Sequence, residues 1–100
     1  MAWAPFTYRD FYDVPRMVLF DDGDAVYLLD CPFDDVRDEY PDRFTVYRMR
    51  ETAQRLDKLA DWSLLPGMGE KLGTIAVRDV RFDEARRERI DTGLLTNLAR

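Results

Sequence analysis

Histidine is absent from this chain of 100 residues, and cysteine occurs once, at Cys31. Without an imidazole, Ser-His-Asp and Cys-His catalysis are excluded, along with the commonest proton shuttle near neutral pH. One thiol without histidine cannot build a standard structural zinc site. It cannot form an intramolecular disulfide either, so packing must hold the core. Lysine is nearly missing, with Lys58 and Lys71 beside 13 arginines. Arginine and aspartate are favoured over lysine and glutamate, a bias that fits a GC-rich bacterial coding sequence. The longest apolar run, residues 25–29, is far short of the roughly 20 residues that cross a bilayer. The first residues carry neither a basic start nor an apolar stretch, so no secretory leader is expected in them. These absences point to a cytoplasmic protein with no membrane partner.

What remains is ordinary globular material. Hydrophobic residues make up 46% and charged residues 35%, and 13% are aromatic, which argues for a packed core. The length suits a single domain over residues 1–100. The clearest local signal is Asp22-Gly23 between two apolar runs, residues 16–20 and 25–31, which reads as a β-hairpin. Centring a two-residue turn on Asp22-Gly23 sets Phe20 against Ala25 and Leu19 against Val26. Met17, Leu19, Val26 and Leu28 then share one face, and Val18, Phe20, Ala25, Tyr27 and Leu29 the other. Both faces are apolar, so both must be covered. The same register puts Asp21 opposite Asp24, an unfavourable like-charge pair.

The rest of the pattern predicts a small α+β fold with an antiparallel sheet of about four strands. Residues 1–15 read as an irregular, aromatic-rich arm bracketed by Pro5 and Pro15. Residues 43–50 alternate as a third strand. Residues 52–64 carry Leu56, Leu59, Ala60 and Ser63 at helical spacing, with Thr52 as cap and Pro66-Gly67 as stop. Residues 67–73 read as a flexible connector, and 73–77 as a fourth strand continued irregularly to 82. Asp83 then caps a last helix from Glu84 onward, with Ile90, Leu94 and Leu98 every four residues.

No constellation carries a recognisable catalytic chemistry. Cys31 lies between Asp30 and Asp34, whose charges oppose a thiolate, so it reads as a buried small hydrophobe. The glycines at 67, 69 and 73 lack the Gly-Lys-Ser/Thr ending of a phosphate loop and stand in helix–loop–strand order, the reverse of what anion cradling needs. Asp21-Asp22-Gly23-Asp24 does not have calcium-loop spacing. No cofactor and no metal site are expected. Arg86, Arg87 and Arg89 are interleaved with acids and read as a solvated face.

One feature points to a role. The net charge of −5 is unevenly spread. Residues 10–42 hold eleven acids against two arginines, a charge of −9, whereas residues 43–100 carry +3. Such a segment repels nucleic-acid phosphates and attracts a basic protein. The sequence therefore favours a non-enzymatic binding module, of the inhibitor, immunity-protein or subunit-partner kind. Its candidate contact residues are Asp34, Asp35, Asp38 and Glu39. One alternative is a small carboxylate-based enzyme or a divalent-metal-binding protein using the same acids. Another is a subunit that self-associates as a homodimer through the hairpin's apolar faces or a sheet edge.

Overall fold

The computed structural model describes residues 3–83 and 89–98. It overturns the four-stranded α+β expectation. The described residues are mostly sheet, with six antiparallel strands, one short α-helix and three 3-10 turns among them. The strands are β1 (Trp3–Tyr12), β2 (Val14–Asp21), β3 (Val26–Asp30), β4 (Arg43–Met49), β5 (Gly69–Ala76) and β6 (Arg89–Asp91). They lie in the order β5-β4-β3-β2-β1-β6.

The expected arm is a strand. Trp3 to Pro5 pair with β6, and Phe6 to Tyr12 pair with β2. Neither proline breaks the ladder. Pro5 sits on the short β6 pairing, and Pro15 lies next to the turn, where a missing N–H costs little. That turn is a single residue. Tyr12 and Val14 face each other directly, and Asp13 alone joins them with a φ of 60°. Aspartate tolerates this left-handed conformation better than most residues.

The hairpin between β2 and β3 forms, with its register moved by two residues. Phe20 faces Tyr27, and Asp21 faces Val26. Because the shift is even, every side chain keeps its expected face. The cause is turn chemistry. The Asp21 carboxylate accepts from Gly23 N at 2.8 Å, and the Asp22 carboxylate accepts from Asp24 N and Ala25 N at 2.9 Å each. These bonds centre the tip on Gly23-Asp24, with Gly23 at a φ of 101°, and remove the Asp21–Asp24 pair.

Both faces of the hairpin are covered, as its two apolar stripes require. Every strand contributes to the first core, including Phe6, Phe20, Leu29, Phe44, Ile75 and Ile90. The sheet therefore curls around this core. The chain leaves β5 through the 3-10 turn Val77–Asp79 and then pairs with β6 through Phe82 and Ile90. Asp83 N donates to Arg89 O, and Asp91 N donates to Arg81 O, which closes the curl on that side. The second core lies on the outer face. Met17, Leu19, Val26 and Leu28 meet Leu56, Trp62 and Leu65 there. Burying each of these last three side chains contributes roughly 1.5–3 kcal/mol.

The helix expected over residues 52–64 shortens to α1 (Ala53–Asp57), followed by the 3-10 turn Trp62–Met68. Thr52 caps α1 as expected, accepting from Arg55 N at 3.3 Å. Asp61 starts the second segment by accepting from Ser63 N at 3.0 Å. The glycine-rich stretch is no connector, since Gly69 to Gly73 belong to β5. The start of the expected C-terminal helix, residues 84–88, lies outside the described residues. Beyond it, Ile90 is in β6 and Leu94 in the 3-10 turn Thr92–Asn97, so the four-residue spacing there does not mark an α-helix. No helix among the described residues is long and apolar enough to cross a membrane.

Candidate functional site

The acidic segment does not form one face. Asp21, Asp22 and Asp24 cluster at the β2–β3 tip, whereas Asp34, Asp35, Asp38, Glu39 and Asp42 lie between β3 and β4, at the opposite end of the sheet. The length of β2 separates the two groups by ~23 Å, since each residue advances about 3.3 Å. The tip acids are largely consumed by turn bonds. The candidate site is therefore the β3–β4 connection.

This connection folds as a miniature hairpin. Asp34 and Glu39 exchange backbone bonds, Asp34 N to Glu39 O at 2.8 Å and Glu39 N to Asp34 O at 3.2 Å. The Asp34 carboxylate accepts from Val36 N at 3.0 Å and Arg37 N at 3.2 Å. Asp38 closes the loop with a φ of 56°. The four predicted residues thus sit together but divide their work. Asp34 is half-buried and organises the turn, and Asp35, Asp38 and Glu39 are exposed. Arg37 is the one cation of this hairpin, 4.0 Å from Asp34. Val36 projects at the tip, 94% exposed.

Rings stand at its base. Phe33 meets Tyr40 edge-on with centroids 5.1 Å apart, and Tyr12 from the end of β1 stacks on Tyr40 at 5.4 Å and 26°. Tyr12 is 63% and Phe33 44% exposed. Phe11 and Tyr8 form another exposed ring contact on β1, with centroids 6.1 Å apart. Beneath the rings lies Arg16, only 7% exposed. Its guanidinium donates to Tyr12 O at 3.1 Å and Pro41 O at 3.3 Å, pairs with Asp13 at 2.7 Å and lies 4.8 Å from the Tyr40 ring centroid. One buried cation thereby ties the β1–β2 turn to the start of β4. Cys31 belongs to the same knot. It is buried, accepts from Arg16 Nη1 at 3.5 Å and donates to Pro41 O at 3.2 Å. Burial raises the thiol's pKa more than the Arg16 contact lowers it, so Cys31 is a packing residue.

A second group of acids lies on the outer face, and the sequence reading passed over it. Asp10, Asp30 and Asp61 line a cleft of about 380 Å3, together with Arg9, Trp62 and Cys31. Asp30 extends the buried alternation Val26, Leu28, Asp30, and that acid in an apolar stripe was the available signal. Its carboxyl pKa is raised, first by burial and then by the charge of Asp10. Asp10 holds a φ of 61°. Arg9 covers the cleft's Trp62, 4.2 Å from the ring centroid, and reaches Asp57 at 3.7 Å. Among the described residues, no three Cys, Asp or Glu side chains converge closely enough to hold a metal ion.

Comparison of the chain with protein-family models, curated proteins and solved structures returns no match.

Proposed function

We propose that this protein is a binding module that docks a basic protein partner on the β3–β4 hairpin and the aromatic surface at its base. The observation that carries this reading is the Tyr12–Tyr40–Phe33 ring cluster, with Tyr12 and Phe33 exposed and with Phe33 and Tyr40 flanking the loop that carries Asp35, Asp38 and Glu39. Exposed aromatics anchor interfaces, and an acidic rim steers a basic partner and fixes its register. Rigidity supports the same reading. The Asp34 turn bonds and the Arg16 knot hold the surface in place, so little ordering entropy is lost on binding.

The test is to capture a partner from the native cell extract at low salt, then identify and titrate it in pure form. Affinity is expected to fall steeply with salt and to fall again in the triple variant D35N/D38N/E39Q. A purified partner that binds equally well at low and high salt would eliminate the acidic contact.

A second reading, carboxylate chemistry or binding of a cation by two carboxylates and water, rests on the cleft where Asp30 feels the charge of Asp10. It moves that alternative away from the residues the sequence selected. A thermal shift with magnesium or calcium that disappears in Asp30→Asn would support it, and no shift with either ion would remove the cation-binding form.

A further inference from the structure

We infer that the partner presents arginine, not lysine, to this surface, with its guanidinium lying on the exposed rings of Tyr12 and Phe33 and its N–H groups directed at the hairpin carboxylates. The inference rests on the binding-module reading and names the chemistry of the partner.

Three observations converge on it. First, the rings are open to solvent, with Tyr12 63% and Phe33 44% exposed. An aromatic face carries negative charge density and attracts cations, and arginine stacks on it better than lysine does because its charge is planar and weakly hydrated. Second, the molecule already uses this contact twice. Arg16 lies 4.8 Å from the centroid of Tyr40, the ring on which Tyr12 and Phe33 pack, and Arg9 lies 4.2 Å from that of Trp62. The stack thus accommodates a guanidinium on its inner side. Third, the charge beside the rings has no internal counterpart among the described residues. Asp35, Asp38 and Glu39 make no side-chain ion pair there, and the hairpin's own cation, Arg37, is directed at Asp34. A planar donor fork can satisfy such carboxylates while its plane rests on a ring.

Other occupants fit less well. A purely apolar segment would desolvate the carboxylates without pairing them. A single-stranded nucleic acid could stack its bases on the rings, but its phosphates would meet the acidic rim. An anionic lipid surface would meet the same repulsion.

The decisive experiment titrates the full chain with two synthetic peptides of equal length and charge. One carries arginine and the other lysine, each alternating with glycine and serine, and a polyuridine strand serves as a third probe. The arginine peptide is expected to bind tighter, by up to about threefold, because arginine stacks on the rings better than lysine does and the whole of an exposed cation–π contact is worth no more than a few-fold. Tyr12→Leu combined with Phe33→Leu should abolish that ratio while leaving salt-dependent binding of both peptides. If the double variant misfolds by circular dichroism, Tyr12→Leu alone, at the more exposed ring, serves instead and should reduce the ratio. D35N/D38N/E39Q should weaken both peptides together. Equal affinity for the two peptides would overturn the arginine inference and leave the acidic docking surface standing. A ratio that survives loss of both rings would overturn it as well. Polyuridine binding tighter than either peptide would replace the inference with a base-stacking surface. Failure of both peptides to bind at low salt would overturn the inference and the underlying reading together.

Discussion

Arg16 and Asp13 meet at 2.7 Å, and the two residues are unequal partners. The arginine side chain is buried and the aspartate is mostly exposed. Asp13 supplies a charge at the rim, whereas Arg16 supplies the bonds beneath it to Tyr12 O and Pro41 O. Removal of either residue should therefore have very different consequences. Arg16→Ala removes the guanidinium donor from the Tyr12 carbonyl, leaves the Pro41 carbonyl with only the Cys31 thiol and opens space under Tyr40, so it should cost about 2–4 kcal/mol in urea unfolding. Asp13→Asn keeps the turn geometry and an acceptor, and should cost at most about 1 kcal/mol, as solvent-exposed pairs do. Equal losses would mean that the ion pair, and not the carbonyl bonds, holds this end of the sheet.

Cys31 provides a check on the same knot. Its thiol is buried and its pKa is raised by that burial, so the folded protein should react slowly with thiol reagents at neutral pH. Reactivity should appear together with unfolding in denaturant, and it should appear earlier in Arg16→Ala. Rapid labelling of the native protein would show that the β3 end opens independently of the rest.

The strand pattern was legible where alternation ran without interference. Met17 to Phe20 and Val26 to Leu29 kept their predicted faces even though their register moved, because side-chain direction depends only on parity. The register itself depended on which N–H groups the Asp21 and Asp22 carboxylates would capture, and that choice is made by geometry at the tip. β1 is hidden because Pro5 and Pro15 read as breakers, although Ala4, Phe6 and Tyr8 alternate across Pro5. Ile90, Leu94 and Leu98 mimic a helical stripe, yet Ile90 sits in a strand whose partner, β1, is distant in sequence. Asp34, Asp35, Asp38 and Glu39 fall in one hairpin because they are neighbours in sequence. The ring stack at its base is not written in the sequence, since Tyr12 reaches Tyr40 only after the sheet forms.

Gly69 marks a place where backbone approach, not conformational freedom, demands glycine. A Cβ there would lie 2.6 Å from Met49 Sδ and 3.0 Å from the Arg48 carbonyl oxygen. The methionine can move, but the carbonyl belongs to the β4 ladder and cannot move without disturbing it. Gly69→Ala should therefore destabilise by roughly 1–3 kcal/mol, the usual cost of overpacking. Gly67, two residues earlier, has open space where its Cβ would stand. Gly67→Ala should be neutral or slightly stabilising through the unfolded chain. Paired urea titrations of the two variants give the comparison, and a Gly69→Ala protein as stable as its parent would remove the steric argument.

Asp30 makes a prediction about pH. Burial and the neighbouring Asp10 raise its carboxyl pKa above the ordinary 3.8, so the folded state holds this proton more tightly than the unfolded chain does. Between the unfolded and folded values the native protein binds more protons, and stability contributed by this group must fall as pH rises. The contribution is fully present below the unfolded value and is lost as pH passes through the folded one. Above that point the protein carries an ionised, half-buried carboxylate with no hydrogen-bond or ion-pair partner among the described residues. Asp30→Asn keeps the shape and removes the charge. The variant should match its parent in acid and become the more stable of the two as pH approaches neutrality, read from urea midpoints across that range. A variant less stable than its parent at neutral pH would mean that the site favours the ionised carboxylate, and the burial argument would fail. If the cleft instead takes a cation in the cell, adding that cation should raise the parent's midpoint and leave the variant's unchanged, because only the parent keeps a charge for it to neutralise.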